Sequence, residues 1–384
     1  MKKLTKISAL ILSATLIFGF SACQDSGDSG TTAASEPFYN ALSSLKTVEG
    51  VPDVYTVEFN GEYYLNSAIN SNLITADQLL AYLTSNIPFW KTAKESGAPL
   101  SIDVKGAACS SIVAENATSG TSGYIYGRNF DWNEGPALII HTMPDGGYES
   151  VSTCYVPFVT NEPNWEPSSD MTNNSVSLAG IYVPMDGMNE KGLYIANLND
   201  DIRANNSVPN VDDAAKKNVQ TTVAIRYILD NAATVDEAIN FLKKIEMYPV
   251  YAEQDTNDDA PLYAYHFAIA DNKGKSVVAE WLEGGILTVT ETKVVTNFNI
   301  SKTNGNPTGK CDRFDSLINA GKAKNWKMTS DEVKNALKNV QQSHSVWSAV
   351  FEPGVKRVTY YFRGENPTNP QEPIDYTKSV VVQF

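Results

Sequence analysis

The order of strand-like and helix-like segments restricts the fold more than any other feature of this sequence. Alternating apolar segments typical of strands occur early, as at Tyr124 to Asp131, and recur towards the end of the chain. Two amphipathic helices lie between them. One spans Thr221 to Asn231, and the other begins at a Thr234/Glu237 capping box, with an apolar face that runs to Ile245. This order predicts an α+β fold in which antiparallel sheets carry helices on their outer faces.

The chain before Cys109 has elements of its own. Val54 to Tyr64 predicts a strand, and Thr75 to about Glu95 predicts a helix that begins at a Thr-x-x-Gln capping box and is interrupted near Pro88. A Gly-Ala-Pro sequence then breaks the pattern before a further strand-like run. Residues 36–108 are therefore interpreted as a short, separate leader region.

Composition and charge exclude several classes of protein. The 384 residues are 42% hydrophobic, which suffices for one large core. The formal net charge is -14, and the sequence has no basic stripe that could follow a phosphate backbone. Nucleic acid is therefore not an expected partner. An acidic surface also repels anionic membranes, so attachment to a membrane requires another feature.

The N-terminal segment supplies that feature. Lysines within residues 1–6 precede an apolar run over residues 7–20, which predicts a signal peptide over residues 1–22. Phe20-Ser21-Ala22-Cys23 resembles the bacterial lipobox, in which the cysteine is diacylated. The sequence thus predicts an exported protein, lipid-anchored through Cys23 to a bacterial cell membrane, with a flexible tether over residues 23–35. Ordinary signal cleavage near Ala22 is the alternative.

The remaining cysteines are Cys109, Cys154 and Cys311, an odd number for an oxidising compartment. One unpaired thiol therefore needs a chemical explanation. Cys154 and Cys311 are compatible with a disulfide and equally with two buried thiols.

The histidines do not indicate a metal site. The chain has three, His141, His266 and His344, and none is spaced from a second ligand as in known zinc motifs. We expect neither a metal nor a cofactor.

Cys109 opens a predicted hairpin whose returning strand carries two charged residues. Antiparallel pairing would bring Arg128 and Asp131 near Cys109, and a cation there would favour the thiolate that attacks an amide. A spacing of three places the two side chains on opposite faces of an ideal strand, so a bend or the end of the strand is required. By itself, Arg-x-x-Asp is also common on protein surfaces.

Four motifs occur in a fixed order from Cys109 onwards. They are Cys109-Ser110-Ser111-Ile112-Val113-Ala114-Glu115 with Ile125-Tyr126-Gly127-Arg128-Asn129-Phe130-Asp131-Trp132, then Asp186-Gly187-Met188-Asn189-Glu190-Lys191-Gly192-Leu193 with Leu198-Asn199, then Val295-Thr296-Asn297, and Arg313-Phe314. Together they resemble the choloylglycine hydrolase branch of the N-terminal-nucleophile hydrolases. That superfamily includes penicillin V acylases, acid ceramidase and N-acylethanolamine acid amidase. The resemblance extends roughly from Cys109 to Phe384.

The resemblance implies a four-layer αββα sandwich with Cys109 as the first residue of the mature enzyme. Cys109 would attack the carbonyl carbon of an amide, and its freed α-amine would act as general base, so no histidine is needed. Asp131 would hold this amine, and Arg128 would stabilise the thiolate.

The later motifs imply the remaining roles. Asn199 and Asn297 would direct amide N–H groups at the oxyanion of the tetrahedral intermediate. Arg313 would complete the charge network, with a surface or substrate-carboxylate contact as its alternative.

The sequence departs from the simplest family members because 108 residues precede Cys109. This arrangement resembles acid ceramidase and N-acylethanolamine acid amidase. We therefore expect self-cleavage between Ala108 and Cys109, with a catalytic domain over residues 109–384.

The predicted activity is hydrolysis of a small N-acyl amide, with conjugated bile salts as the leading substrates. A penicillin V acylase, an N-acyl amino acid amidase or a ceramide-type amidase are the alternatives within the same chemistry. An acyltransferase and a non-catalytic binding lipoprotein are the alternatives outside it.

Overall fold

The computed structural model describes residues 29–104, 108–200, 215–248, 264–282, 286–364 and 374–384, with the backbone alone at residues 29–33 and 264. The predicted signal peptide over residues 1–22, Cys23 and the first part of the predicted tether lie outside these ranges. Within the described ranges, no helix has the length and apolar character needed to span a bilayer.

The larger sheet is mostly antiparallel. Its strand order is β1-β2-β5-β6-β7-β8-β11-β12-β13, and only the β2–β5 pair is parallel. The strands are β1 (Lys46–Thr47), β2 (Val54–Asn60), β5 (Ala137–Met143), β6 (Ser150–Tyr155), β7 (Asp186–Asn189), β8 (Tyr194–Asp200), β11 (Ala264–Ala270), β12 (Ser276–Leu282) and β13 (Ile286–Glu291).

The smaller sheet contains the Cys109 hairpin. Its strand order is β14-β3-β4-β16-β17-β18, and β15 pairs with the other end of β3. The strands are β3 (Ala108–Asn116), β4 (Tyr124–Asp131), β14 (Val294–Val295), β15 (Lys327–Met328), β16 (Ser345–Glu352), β17 (Arg357–Phe362) and β18 (Val380–Gln383). Two short parallel strands, β9 (Lys217–Gln220) and β10 (Ile245–Tyr248), form a separate ribbon.

The described helices precede, separate and follow these strands. They are α1 (Ser29–Ser44), α2 (Leu65–Asn70), α3 (Ala76–Asn86), α4 (Pro88–Glu95), α5 (Met171–Ser175), α6 (Thr221–Asn231), α7 (Val235–Leu242), α8 (Asp312–Ala323) and α9 (Ser330–Val340).

The two sheets pack face to face through aromatic side chains. Tyr126 of β4 stacks on Tyr194 of β8 with ring centroids 5.1 Å apart. Trp347 of β16 reaches across the interface, where its Nε1 donates a hydrogen bond to the Asp186 carboxylate of β7 at 3.0 Å. These contacts bury one face of each sheet and leave the other face for helices.

Helices cover the outer face of each sheet. They approach it closely at glycine positions, where a side chain on the strand would collide with the helix. A Cβ on Gly187 of β7 would lie 2.8 Å from Leu229 of α6, and a Cβ on Gly127 of β4 would lie 2.7 Å from Val333 of α9. The order of layers is therefore helix, sheet, sheet, helix. The predicted α+β fold, a four-layer αββα sandwich of antiparallel sheets, is confirmed.

The leader is part of the sandwich. β2 pairs with β5 along seven residues, so the leader adds its strands to the larger sheet and is not a separate region. Helix α1 packs on β2, with the Phe38 and Phe59 rings 5.0 Å apart. The flexible tether predicted for residues 23–35 is also corrected: residues 29–35 belong to α1, whose later residues Phe38, Ala41 and Leu42 are buried.

Local helix signals correspond closely to the structure. The Thr75/Gln78 capping box is present, and Pro88 begins a second helix after α3 ends. Thr234 caps α7 through the backbone N–H of Glu237. The apolar face predicted to reach Ile245 ends earlier, because Ile245 pairs with Lys217 in the parallel ribbon.

Candidate active site

Cys109 lies near the start of β3, with no exposed surface. It pairs with Phe130 of β4, and its neighbour Ala108 pairs with Asp131. The hairpin predicted from the sequence therefore places the Ala108–Cys109 peptide bond inside the sheet, next to the last two residues of β4.

Arg128 approaches the Cys109 thiol from the layer between the sheets. Its Nη2 lies 3.4 Å from Cys109 Sγ, and its Nη1 donates a hydrogen bond to the carbonyl of Met185 at 2.9 Å. Its Nε lies 2.9 Å from Oδ2 of Asp186 in an ion pair with no exposed surface. Asp186 thus balances the buried guanidinium charge and directs it towards the thiol.

Asp131 lies near Cys109 on the face of β4 opposite to Arg128. It is the final residue of β4, and it accepts a short hydrogen bond from Ser345 Oγ on the outer, helix-covered face. Strand β16 has an extra residue here, because Ser345 pairs with Asp131 whereas Trp347 pairs with Phe130. The irregularity that the Arg-x-x-Asp spacing requires is therefore present, as a bulge in the neighbouring strand beside the end of β4.

Arg313, in the first turn of α8, contacts three groups around the Cys109 backbone. Its Nη1 donates to the carbonyl oxygen of Cys109 at 2.6 Å and lies 3.4 Å from Oδ2 of Asp131. Its Nη2 donates to Oδ1 of Asn297 at 2.7 Å. The structure therefore places Arg313 in one network with Asp131 and Asn297, while Arg128 lies on the other side of the strand.

Asn297 contacts the backbone nitrogen of the cysteine. The N–H of Cys109 donates to Asn297 Oδ1 at 2.7 Å, and Asn297 Nδ2 donates to the main-chain carbonyl of Asn199 at 2.8 Å. Asn199 is thus adjacent, although the contact uses its backbone. Its side-chain Oδ1 is buried and has no hydrogen-bond partner among the described residues.

Burial governs the ionisation of this site in the uncut chain. It raises the pKa of the Cys109 thiol to about 11, and the neighbouring Arg128 only partly opposes the effect. Burial also raises the pKa of Asp131, against the hydrogen bond from Ser345 and the charge of Arg313. The intact chain therefore holds Cys109 as a thiol at neutral pH.

Sequence reasoning missed three residues at this site. Asp186 begins the Asp-Gly-Met-Asn motif, which carries the family resemblance but does not indicate an ion pair with Arg128. Tyr194, whose hydroxyl lies 3.0 Å from Ser111 Oγ, had the apolar alternation of a strand as its only signal. Ser345 follows a polar loop without any pattern, so no sequence signal indicates its contact with Asp131.

The other cysteines and the histidines form neither a disulfide nor a metal cluster among the described residues. Cys154 and Cys311 are free thiols, so the disulfide that their presence allowed is absent. Across the described ranges, no group of three or more His, Cys, Asp or Glu side chains is arranged to hold a metal ion.

Comparison with known proteins relates this geometry to a family. The sequence model of the linear amide C–N hydrolases, choloylglycine hydrolase family, matches residues 109–304. Penicillin V acylase of Pectobacterium atrosepticum is 32% identical over 106 residues, a match that spans only 27% of that protein and 27% of this chain.

Similar solved structures include a mutant conjugated bile acid hydrolase from Clostridium perfringens, with 16% identity, 72% of this chain and 92% of that chain covered, and a TM-score of 0.49. Penicillin V acylase from Agrobacterium tumefaciens has 18% identity, 67% and 83% coverage, and a TM-score of 0.45. The N-acylethanolamine-hydrolyzing acid amidase ortholog of Caenorhabditis elegans has 16% identity, 71% and 100% coverage, and a TM-score of 0.42.

Proposed function

Because the chain belongs to the choloylglycine hydrolase family of linear amide C–N hydrolases, we propose that it hydrolyses a small N-acyl amide with Cys109 as an N-terminal nucleophile. The mature enzyme forms when the chain cuts its own backbone between Ala108 and Cys109. Conjugated bile salts are the leading substrates.

One observation carries this proposal: polar side chains contact the backbone of Cys109 as well as its thiol. Asn297 accepts the Cys109 N–H, Arg313 binds the Cys109 carbonyl, and Arg128 faces the sulfur. A nucleophile inside a chain requires only its side chain to be activated. Recognition of the backbone nitrogen is useful when that nitrogen becomes a free amine that takes part in the reaction.

The same contacts support self-cleavage. Cys109 Sγ attacks the carbonyl carbon of Ala108, the C–N bond breaks, and the thiol proton passes to the leaving nitrogen. A thioester between Ala108 and Cys109 results. Water then hydrolyses it, leaving the Ala108 carboxylate, the free thiol and the Cys109 amine.

After the cut, the amine occupies the position of the former amide nitrogen. Asn297 Oδ1 accepts a hydrogen bond from this amine, and Asp131 with Arg313 sets the charge around it. The amine takes the thiol proton as Sγ attacks the substrate and later delivers it to the leaving amine. Arg128 stabilises the thiolate.

Asn297 and Asn199 are assigned as hydrogen-bond donors to the oxyanion of the tetrahedral intermediate. The Asn297 amide has two hydrogens, and its bond to Asn199 O uses one of them. Removing a single oxyanion donor typically costs about 10²–10³ in kcat.

Penicillin V is the second candidate substrate, and a specific observation favours it. The penicillin V acylase of Pectobacterium atrosepticum is the relative with 32% identity over 106 residues. N-acyl amino acids and ceramide-type amides share the same bond and complete the substrate panel, since the fold does not choose among them.

We also propose that the enzyme is located at the bacterial membrane. A lipid on Cys23 would hold the exported enzyme at the bacterial membrane, supported by the lipobox-like Phe20-Ser21-Ala22-Cys23 sequence. Replacing Cys23 with Ser should release the protein from membranes without loss of self-cleavage.

Intact mass of the purified protein tests maturation. Wild type should contain a fragment that begins at Cys109, whereas Cys109→Ala should give one uncut chain. Cys154→Ala, which removes a buried thiol away from the site, is the matched control and should mature normally. A wild-type protein that is active as a single intact chain would contradict self-cleavage.

Release of free amine from a panel of amides tests the substrate. Glycine- and taurine-conjugated bile salts should react fastest, and Cys109→Ala should release nothing. Faster hydrolysis of penicillin V would replace the bile-salt assignment by its alternative.

A further inference from the structure

A buried set of polar residues surrounds the loop formed by residues 296–301, which carries Asn297 from β14 to the active site. His266 of β11 and Glu280 of β12 have no exposed surface, and Asp200 at the end of β8 has only 2%. All three belong to the larger sheet, whereas β14 belongs to the smaller one. The loop therefore leaves the smaller sheet and packs against buried charges of the larger one.

Glu280 binds the far end of this 296–301 loop. Its Oε1 accepts the N–H of Ile300 at 2.6 Å, and its Oε2 accepts the N–H of Ser301 at 2.9 Å together with the Ser301 hydroxyl. Donors of the loop thus use three of the roughly four lone-pair sites of the carboxylate.

His266 binds the near end. Its Nε2 lies 2.7 Å from the carbonyl oxygen of Thr296, which can only accept a hydrogen bond, so Nε2 carries a proton. Its Nδ1 is buried and lies 3.4 Å from Oε1 of Glu280, as an ion pair without hydrogen-bond geometry. The negative charge of Glu280 beside Nδ1 favours a second proton there, which gives the imidazolium form.

Two further contacts fix the middle of the loop to β8. Asn299 Nδ2 donates to Asp200 Oδ2 at 2.8 Å, and Asn297 Nδ2 donates to the carbonyl of Asn199 at 2.8 Å. Asn297 thus comes directly after His266-bound Thr296 and is itself tied to β8. Its position relative to Cys109 therefore depends on how firmly Thr296 is held.

We propose that His266 is a positioning residue: its imidazolium joins the Glu280 carboxylate to the Thr296 carbonyl and so places the Asn297 amide against the Cys109 backbone nitrogen. This inference rests on the proposed function, because maturation and hydrolysis both use that amide. His266 does not touch the reacting atoms, and its effect passes through Thr296.

The charged groups that face His266 determine how pH acts on it. Burial lowers its pKa, but the neighbouring Glu280 carboxylate, the charge of Asp200 and the Thr296 carbonyl together raise it above the ordinary value. The charged clamp is therefore complete at low pH and is lost as pH rises through this raised pKa. Displacement of a catalytic group by about 1 Å can cost about 10²-fold in rate, so loss of the clamp should slow the reaction.

The test compares His266→Gln with Glu280→Gln. His266→Gln keeps a donor for Thr296 but removes the charge, and it should slow self-cleavage and kcat at least about tenfold with a smaller change in KM. In His266→Gln, the decrease in rate at alkaline pH that deprotonation of His266 causes should also be absent. Glu280→Gln should move that decrease to lower pH, because it removes the largest effect that raises the His266 pKa.

A second His–Glu pair is the matched control. His141 Nε2 lies 2.7 Å from Glu149 Oε1 on the leader side of the larger sheet, partly exposed and outside the Cys109 network. His141→Gln should leave the rate of self-cleavage and its pH profile unchanged. An equal effect of His141→Gln and His266→Gln would overturn the proposal.

The charge of His266 is measured independently of activity by NMR titration of labelled histidine in uncut Cys109→Ala protein. The chain has only three histidines, so single variants assign each signal. His266 should titrate above the ordinary pKa of about 6.5, and Glu280→Gln should lower it. Titration at or below the ordinary value, or no response to Glu280→Gln, would overturn the proposal even if His266→Gln fails to fold.

The two proposals fail in different ways. If wild type does not cut itself, the proposed function is wrong, while the His266 titration in Cys109→Ala protein is unaffected. If wild type matures normally and His266→Gln matures at the same rate with the same pH profile, the positioning role is wrong and the proposed function stands.

Discussion

At the scale of single residues, two opposed requirements meet at Cys109. Its thiol is buried enough to be protonated at neutral pH, yet Arg128 is held beside it by Asp186. A buried guanidinium is costly to keep without its carboxylate partner. Asp186 therefore acts on the nucleophile through Arg128.

Replacing Asp186 with Asn should leave that guanidinium without a counter-charge. We expect the free energy of unfolding to fall by about 3–5 kcal/mol, as when one partner of a buried ion pair is removed. Urea unfolding in the uncut Cys109→Ala background measures this without interference from self-cleavage. Glu190→Gln is the control, since its ion pairs with Lys191 and Lys356 are partly exposed and should change stability by less than about 1 kcal/mol. Equal stabilities of the two variants would contradict this role of Asp186.

Ser345 should affect the pH at which the rate of self-cleavage decreases under acidic conditions. Its hydroxyl lowers the pKa of Asp131, which burial raises. In Ser345→Ala the pKa of Asp131 rises further, so the carboxylate becomes protonated at a higher pH. The acid decrease in self-cleavage rate should therefore move to higher pH, as measured by gel densitometry across a pH series. Ser343→Ala, at an exposed position two residues earlier, should leave the profile in place. An unmoved profile in Ser345→Ala would exclude this contribution.

At the scale of elements, the sequence predicted the features that depend only on residues close together in the chain. The Cys109 hairpin, the two central helices and the break at Pro88 follow local rules of pattern and capping, and the structure contains them. The split of residues 287–296 was not predictable in this way. That segment has the pattern of one strand, but β13 joins the larger sheet and β14 the smaller one. Only tertiary packing distinguishes the two halves.

The same distinction between local and distant contacts separates the site residues that were predicted from those that were missed. The resemblance brought together Cys109, Arg128, Asp131, Asn297 and Arg313, which the structure places in contact. Asp186, Ser345 and His266 were missed because each acts through a partner distant in sequence. No spacing rule connects a β11 histidine with the carbonyl of Thr296.

The contact between the leader and α6 permits a test at this scale. Tyr63 of the leader donates to Asp230, which also pairs with buried Arg226. Burial raises the pKa of Asp230 to about 6, against Arg226 and then Tyr63. Because the folded pKa lies above the unfolded one, this carboxyl group contributes most to stability below about pH 4, and the contribution is lost as pH rises towards 6.

Tyr63→Phe removes one donor to Asp230. It should cost about 1–3 kcal/mol at neutral pH, measured by urea unfolding of the uncut chain, and less below about pH 4, where Asp230 is protonated. Tyr64→Phe alters the half-buried neighbouring ring and is the control. A loss in Tyr63→Phe that is independent of pH would contradict the linkage to Asp230.

At the scale of the whole molecule, the leader supplies the β1–β2 edge of the larger sheet and a cover of helices. Cutting the chain before Cys109 does not remove the β2–β5 hydrogen bonds. Both fragments should therefore elute together at the position of the uncut Cys109→Ala protein in native gel filtration and separate only in denaturant. Elution of the catalytic fragment without the leader would contradict this expectation.

The passage of the chain from β13 to β14 also has a mechanical consequence. Asn297 lies two residues after β14 and binds Asn199 of the larger sheet, whereas Cys109 is embedded in the smaller one. Sliding of one layer over the other would change the distance between these two residues before it disturbed either sheet. The stacked rings of Tyr126 and Tyr194, 5.1 Å apart across the interface between the sheets, oppose such sliding. Compressing or loosening that interface, by hydrostatic pressure or by a smaller ring, is therefore a means of tuning catalysis without altering a catalytic group.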